Sequence, residues 1–87
     1  MVTIRIKYDN LESREIELNL KNLNYVNKIK NISNIVYFDC SVNEIKKLPK
    51  KLFYKMVNLI YFNCESNNIH KIPKNLFKYN SKLETVI

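Results

Sequence analysis

The first part of the chain alternates apolar and polar side chains. Every second residue is apolar from Val2 to Tyr8, and again from Ile16 to Leu20. Alternation with a period of two is typical of a β-strand that buries one face. The turn-forming residues of "DNLES" separate the two runs. The pattern therefore predicts a β-hairpin over residues 1–20 that caps the N-terminal end of the domain.

The second half of the chain contains a repeat of 24 residues. "YFDCSVNEIKKLPKKLF" at residues 37–53 returns as "YFNCESNNIHKIPKNLF" at residues 61–77, and ten of the seventeen positions are identical. A repeat of this length indicates stacked structural units, each burying the apolar face of its neighbour. We assign residues 35–58 and 59–82 to two regular units and residues 83–87 to part of a third.

The shared pattern, L-x-x-L-x-L-x-x-N-x-L-x-x-L-P-x-x-L-F, resembles the 24-residue form of the leucine-rich repeat. The resemblance implies an α/β fold: a right-handed solenoid with a parallel β-sheet of three or four strands on its concave face. It also implies that the concave face binds partners, and that Asn43 and Asn67 hydrogen-bond backbone of their own and the neighbouring unit. Pro49 and Pro73 are expected to fix the backbone where a helical turn or loop begins the convex return.

The stretch before the regular units fits the repeat poorly. A shift of 24 residues places Arg14 and Lys21 at sites that the repeat buries. A shift of 20 instead aligns Leu18 and Leu20 with the strand of the next unit, and apolar residues then recur every third position through "NKIKNISNI". We therefore expect residues 16–34 to form an irregular unit with a helical return, inside a single domain spanning residues 1–87.

Composition narrows the classes of function. Glycine is absent, which excludes a glycine-rich phosphate loop and predicts asparagine wherever φ is positive. No apolar run approaches the roughly 18 residues of a membrane span, and the N-terminus lacks the apolar segment of a signal peptide. We therefore expect an intracellular, cytoplasmic protein without membrane contact. The abundance of Lys, Asn and Ile is typical of AT-rich coding, as in some viruses and protists.

The predicted strands define a candidate binding surface. Residues between the buried positions of a strand point to the opposite face, where Tyr37 and Tyr61 form a column. Tyrosine suits the centre of an interface because its large, rigid ring carries a polar tip. We therefore predict a non-catalytic protein–protein interaction module. The alternative is that the pair only stabilises the sheet of a passive scaffold or of a fragment of a longer array. The predicted partner-binding residues are Tyr37, Asp39, Ser41, Tyr61, Asn63, Glu65 and Thr85.

The net charge of +7 offers a second surface. Lysines cluster on the predicted return segments, and a basic stripe attracts nucleic acid or other anions. The stripe lacks the arginine that grips phosphate with paired hydrogen bonds, which disfavours nucleic acid relative to a protein partner. The lysines of the stripe are Lys46, Lys47, Lys50, Lys51, Lys55, Lys71, Lys74, Lys78 and Lys82.

The residues that carry catalysis in other proteins are sparse here. Cys40 and Cys64 occupy the same repeat position, and we expect free, buried thiols there, because a disulfide between in-register parallel strands is strained. A metal would need further ligands at positions that the repeat fills with apolar residues, so we predict neither metal nor cofactor. His70 is the only histidine, and we expect it to be exposed. Spacing brings no nucleophile and base together, so we predict that the protein is not an enzyme.

The C-terminal end of the repeat has no polar cap in this sequence. Leu83, Val86 and Ile87 begin a third unit, and we expect them to leave an apolar end face and an open sheet edge. Self-association through this end is a further predicted interaction.

Overall fold

The computed structural model describes residues 1–9 and 14–87. These residues form one five-stranded sheet with the strand order β2-β1-β3-β4-β5. The strands are β1 (Val2–Tyr8), β2 (Ile16–Leu20), β3 (Ile35–Asp39), β4 (Tyr61–Asn63) and β5 (Thr85–Val86). Helical structure in the described residues is limited to two 3-10 helices, Leu23–Lys28 and Ile32–Asn34.

The first two strands pair as the alternation predicts. They run antiparallel, with Val2 opposite Leu20 and Ile6 opposite Ile16. The turn predicted in "DNLES" falls largely on residues 10–13, which lie outside the described part of the chain. Ile4 and Ile6 are completely buried, so the apolar side of β1 faces the core.

The neighbour of β3 differs from the one that the sequence suggests. β1 pairs with β3 antiparallel, with Ile6 opposite Phe38, whereas we expected residues 16–34 to supply the adjacent strand. Alternation identifies a strand but does not fix its neighbours. The apolar residues of β1 include two that are fully buried, whereas those of β2 are only partly buried. The strand with more apolar surface to hide therefore takes the interior position, and β2 takes the edge.

The repeat defines the other side of the sheet. β3, β4 and β5 are parallel, and their paired residues are separated by the repeat length, so that Tyr37 lies opposite Tyr61 and Tyr61 opposite Thr85. Residues at the same position of successive units therefore become neighbours across the strands.

The prediction of an α/β leucine-rich-repeat solenoid is wrong. The sheet is mixed, with two antiparallel and two parallel pairings, and it is not curled. It therefore presents neither a concave nor a convex face. The return segments at residues 50–55 and 74–79 are turns and not helices. A helical layer, about 10 Å wide per unit, would force strands spaced about 4.8 Å apart to curl around it, and turns impose no such mismatch.

The core lies between one face of the sheet and the return segments. Its centre is the ring of Phe53, whose centroid is 5.4 Å from Phe38, 4.6 Å from Phe62 and 5.8 Å from Phe77. The buried apolar residues are Ile4, Ile6, Leu23, Val26, Ile35, Phe38, Cys40, Ile45, Leu48, Leu52, Phe53, Met56, Leu59, Phe62 and Leu76.

The two regular units are buried unequally. Leu48 is 4% exposed, whereas its counterpart Ile72 is 49% exposed. The unit at residues 35–58 is covered by the full unit that follows it, whereas the described residues that cover the unit at 59–82 are only those at 83–87. Identical apolar patterns therefore give different burial.

Positive φ occurs at more residue types than expected. Asn31 and Asn75 adopt it, but so do Val42 (φ 56°) and Ser66 (φ 57°), so the prediction of asparagine at these positions is wrong for both. Val42 and Ser66 occupy the same repeat position, just after the strand. The left-handed region is strained for a β-branched residue such as valine. The path of the loop, shared by both units, therefore overrides local preference.

Candidate functional site

The two tyrosines predicted at the binding surface are stacked. The rings of Tyr37 and Tyr61 lie parallel, with 4.5 Å between centroids and 3° between planes. Parallel in-register pairing places the two residues side by side. They belong to the sheet face opposite the core, which we call the polar face. The polar face comprises Thr3, Arg5, Lys7, Glu17, Asn19, Tyr37, Asp39, Ser41, Tyr61, Asn63, Glu65 and Thr85.

The Tyr37 side chain is held from two sides. Its hydroxyl donates to Asp39 Oδ2 over 3.4 Å, and Lys7 Nζ lies 4.6 Å from its ring centroid. Burial, followed by the nearby Asp39 charge, raises the pKa of Tyr37 to about 12. The hydroxyl therefore stays protonated well above neutral pH, and because it gives its single proton to Asp39, it offers a partner an oxygen that accepts.

Two of the predicted binding residues act mainly on the backbone. Asp39 Oδ1 accepts from the Ser41 amide over 2.8 Å, and Asn63 Oδ1 accepts from the Glu65 amide over 2.9 Å. Asp39 is only 8% exposed. These contacts fix the ends of β3 and β4, so Asp39 positions Tyr37 and offers little surface to a partner. Glu65 and Thr85 are exposed at the margin of the face.

The polar face carries charges of both signs. Arg5 Nε lies 4.0 Å from Glu15 Oε1 and 3.7 Å from Glu17 Oε1. Exposed ion pairs of this kind add little stability, about 0 to 1 kcal/mol. Their effect is to place positive and negative groups around the tyrosines.

Asn43 and Asn67 join neighbouring strands from within. Asn67 Nδ2 donates to the carbonyls of Cys64, in its own unit, and of Cys40, in the preceding one, both over 3.0 Å. Asn43 Nδ2 donates to Cys40 O over 2.8 Å and reaches across to Thr3 O over 2.9 Å. A half-buried amide needs such partners, because an unpaired one costs about 1 to 3 kcal/mol. Both asparagines are therefore structural. Pro49 and Pro73 are half-buried just before the turns of the return segments.

The structural role of a third asparagine was not predicted from the sequence. Asn80 is 4% exposed, and its Nδ2 donates to the carbonyls of Phe53 over 3.0 Å and Met56 over 2.8 Å. It stands at the repeat position that Met56 occupies in the preceding unit. A polar residue at a site that is apolar in the other copy was the signal that would have identified it.

The two thiols lie in different environments. Cys40 is fully buried and Cys64 is partly buried, and both are free. Burial raises the pKa of Cys40 to about 12, and burial also raises the pKa of Cys64. Protonated thiols are poor nucleophiles and poor metal ligands. His70 is exposed and shares with Cys64 a cleft of about 250 Å³. Within residues 1–9 and 14–87, no three His, Cys, Asp or Glu side chains cluster as metal ligands would.

Because the pKa of Cys40 is raised, we expect the free energy of unfolding to fall at alkaline pH. The folded state keeps this proton where the unfolded chain loses it, so the stabilisation is complete below pH 9 and is lost as the pH rises from 9.0 towards about 12. Between about pH 8 and pH 10 the protein should lose about 1 kcal/mol more unfolding free energy than Cys40→Ala. Urea denaturation under reducing conditions measures this difference. Cys64→Ala is the control and should keep the loss; an equal loss in Cys40→Ala would contradict the prediction.

The lysines of the return segments divide between a groove and the surface outside it. Five of them surround a groove of about 810 Å³ at the carboxyl ends of β3 and β4: Lys46, Lys47, Lys50, Lys71 and Lys74. Its apolar lining is Val2, Leu23, Ile45, Leu48, Pro49 and Pro73. The remaining lysines of the predicted stripe, Lys51, Lys55, Lys78 and Lys82, lie outside this lining. We call this feature the basic groove.

The C-terminal end carries exposed apolar side chains. Val86 is 53% exposed and Ile87 is 47% exposed, while Leu83 is partly buried against the core. Self-association through these residues stays a prediction.

Comparison with protein-family models gave no match, and comparison with curated proteins gave no match either. The resemblance to the leucine-rich repeat therefore rests on the residue pattern alone. No helix in the described part of the chain is long and apolar enough to cross a membrane.

Proposed function

We propose that this protein is a non-catalytic protein-binding module that engages its partner through the polar face. The observation that carries the proposal is the stacked pair of Tyr37 and Tyr61, which lies on the sheet face away from the core and outside the core cluster.

The geometry of the pair suits binding. Each ring is restrained by the other, and Tyr37 is further restrained by Lys7 and Asp39. Side chains that are ordered before binding lose little conformational entropy when a partner arrives. Charges of both signs nearby, on Arg5 and Glu65, favour a partner with complementary polar groups over a purely apolar one.

The size of the face sets the strength of the interaction. The five strands contain seven, five, five, three and two residues. With a rise of about 3.3 Å per residue and a strand spacing of about 4.8 Å, they give a face of about 350 Å². A standard stable interface buries about 800 Å² on each partner. We therefore expect a transient complex with a dissociation constant in the micromolar range.

The state of the thiols supports the non-catalytic part of the proposal. The raised pKa values of Cys40 and Cys64 keep both thiols protonated near neutral pH. An activated cysteine requires the opposite shift.

The proposal predicts that Tyr37→Ala combined with Tyr61→Ala weakens partner binding about tenfold or more, because both rings leave the centre of the interface. The matched control removes two exposed tyrosines elsewhere, Tyr54→Ala with Tyr79→Ala, and should change the affinity less than about twofold. Candidate partners are proteins that the wild type and the control capture from an extract of the source cells and that the polar-face variant does not. Calorimetry with the purified partner then measures the affinity.

Circular dichroism and the unfolding transition of each variant verify that the fold is intact. Binding through the polar face should change less with salt than binding to the lysines of the basic groove, because the face carries charges of both signs. Equal affinity of the folded polar-face variant and the wild type would refute the proposal.

A further inference from the structure

The basic groove brings together four parts of the chain that are distant in sequence. Val2 comes from the start of β1, residues 22–24 come from the first 3-10 helix and its cap, and the rest come from the loops that follow β3 and β4. Leu23, Ile45 and Leu48 are only 4 to 6% exposed, so they form a closed floor. The partly buried Val2, Pro49 and Pro73 add apolar surface around it.

The rim of the groove is positively charged in a regular way. Lys47 and Lys71 occupy one repeat position, and Lys50 and Lys74 occupy another, so that the repeat sets two lysine pairs side by side. All five rim lysines are exposed, and none of the groove residues that the structure describes is acidic. The long methylene chains of these lysines extend the apolar wall while their ammonium groups stay in water.

This combination selects among anionic ligands. An occupant must offer negative charge to the rim and apolar groups to the floor. Single-stranded nucleic acid binds through stacking on aromatic rings and paired phosphate contacts from arginine, and the described lining contains neither aromatic residues nor arginine. A peptide supplies both requirements, because aliphatic side chains enter the floor while neighbouring Asp and Glu carboxylates meet the lysines.

We propose that the basic groove is a second binding site, for an acidic peptide segment that carries aliphatic side chains. A groove of about 810 Å³ is large enough for two or three such side chains with their backbone. The site shares no residue with the polar face, so either proposal stands if the other fails.

Three synthetic peptides of equal length test which features the groove recognises. The first, DELEDLEE, has both acids and leucines; the second, DESEDSEE, keeps the acids without the leucines; the third, QNLQNLQQ, keeps the leucines without the acids. Fluorescence anisotropy of labelled peptides measures binding to the full chain in low and moderate salt. The first peptide should bind at least about tenfold more tightly than either of the others, and should weaken as salt rises.

Two lysine variants test where the peptide binds. The groove variant carries Lys47→Gln, Lys50→Gln, Lys71→Gln and Lys74→Gln; the control carries Lys21→Gln, Lys30→Gln, Lys55→Gln and Lys78→Gln. Both lose the same number of charges from exposed positions. The groove variant should lose about tenfold or more in affinity for the first peptide, and the control less than about threefold.

Three results would overturn the proposal of an acidic-peptide site. Equal losses in the two variants would show attraction by net charge alone and would overturn the proposal. Equal binding of the first and second peptides would show that the floor is unused and would also overturn it. Tighter binding of an eight-nucleotide thymidine strand than of the first peptide, lost in the groove variant, would assign the groove to nucleic acid instead.

Discussion

Replacing Phe53 with alanine is expected to lower the free energy of unfolding by about 3 to 5 kcal/mol. The ring is fully buried at the centre of the core, where it meets the edges of Phe38 and Phe62 and stacks on Phe77. Its removal loses the transfer free energy of the side chain, leaves a cavity and breaks three aromatic contacts. Folded domains have a total stability of about 5 to 15 kcal/mol, and a chain of 87 residues belongs near the lower end, so the variant should lose most of its stability.

Tyr54→Ala is the matched control for this substitution. Tyr54 is the next residue along the chain and is 39% exposed, so its removal should cost less than about 1 kcal/mol. Urea denaturation followed by far-ultraviolet circular dichroism measures both variants. A cost below about 1.5 kcal/mol for Phe53→Ala would mean that the four phenylalanines do not form the centre of the core.

Replacing Asn80 with aspartate is expected to cost about 3 kcal/mol or more at neutral pH. The two side chains have the same shape, so no cavity forms. The substitution exchanges the Nδ2 donor, which serves the carbonyls of Phe53 and Met56, for a carboxylate oxygen that repels them. Burial opposes the charge, so the introduced carboxyl should have a raised pKa in the folded state. The stability should therefore recover in part as the pH falls and the carboxyl gains a proton to donate.

Asn68→Asp provides the control, because Asn68 is exposed. It should change the free energy of unfolding by less than about 0.5 kcal/mol at neutral pH. Denaturant titrations of both variants at about pH 7 and pH 5 give the comparison. If Asn80→Asp were as mild as its control, water would have to reach the two carbonyls, and the role assigned to Asn80 would be wrong.

The sequence predicted local structure well and global arrangement poorly. Alternation located the hairpin strands, and the repeat located β3, β4 and β5 with their register. Neither pattern contains the order or the direction of strands, so the position of β1 beside β3 and the flat, mixed sheet could not be read from them. We inferred the arrangement of the strands from the family resemblance, and the resulting prediction of a solenoid is wrong.

The candidate sites show the same limit. Tyr37 and Tyr61 were predictable because a repeat with in-register strands makes equivalent residues neighbours. The hydrogen bond from the Ser41 amide to Asp39 was not predictable. A strand pattern shows which face a side chain belongs to, but not whether the side chain bends back to the backbone. The basic groove was also hidden, since it depends on Val2 and Leu23 meeting loops from the two regular units.

The placement of β1 between β2 and β3 governs the order in which the sheet can assemble during synthesis. An emerging chain can close the hairpin as soon as β2 is free, but the second edge of β1 stays unpaired until β3 follows. Ile4 and Ile6 belong to the same core cluster as Phe53 and Phe62, so this core is complete only after the regular units have followed. Each later parallel strand then pairs with a strand that is already part of the sheet, β4 with β3 and β5 with β4. During synthesis the pairing of β1 with β3, which has the largest sequence separation in the sheet, can therefore form before the parallel pairings that extend it.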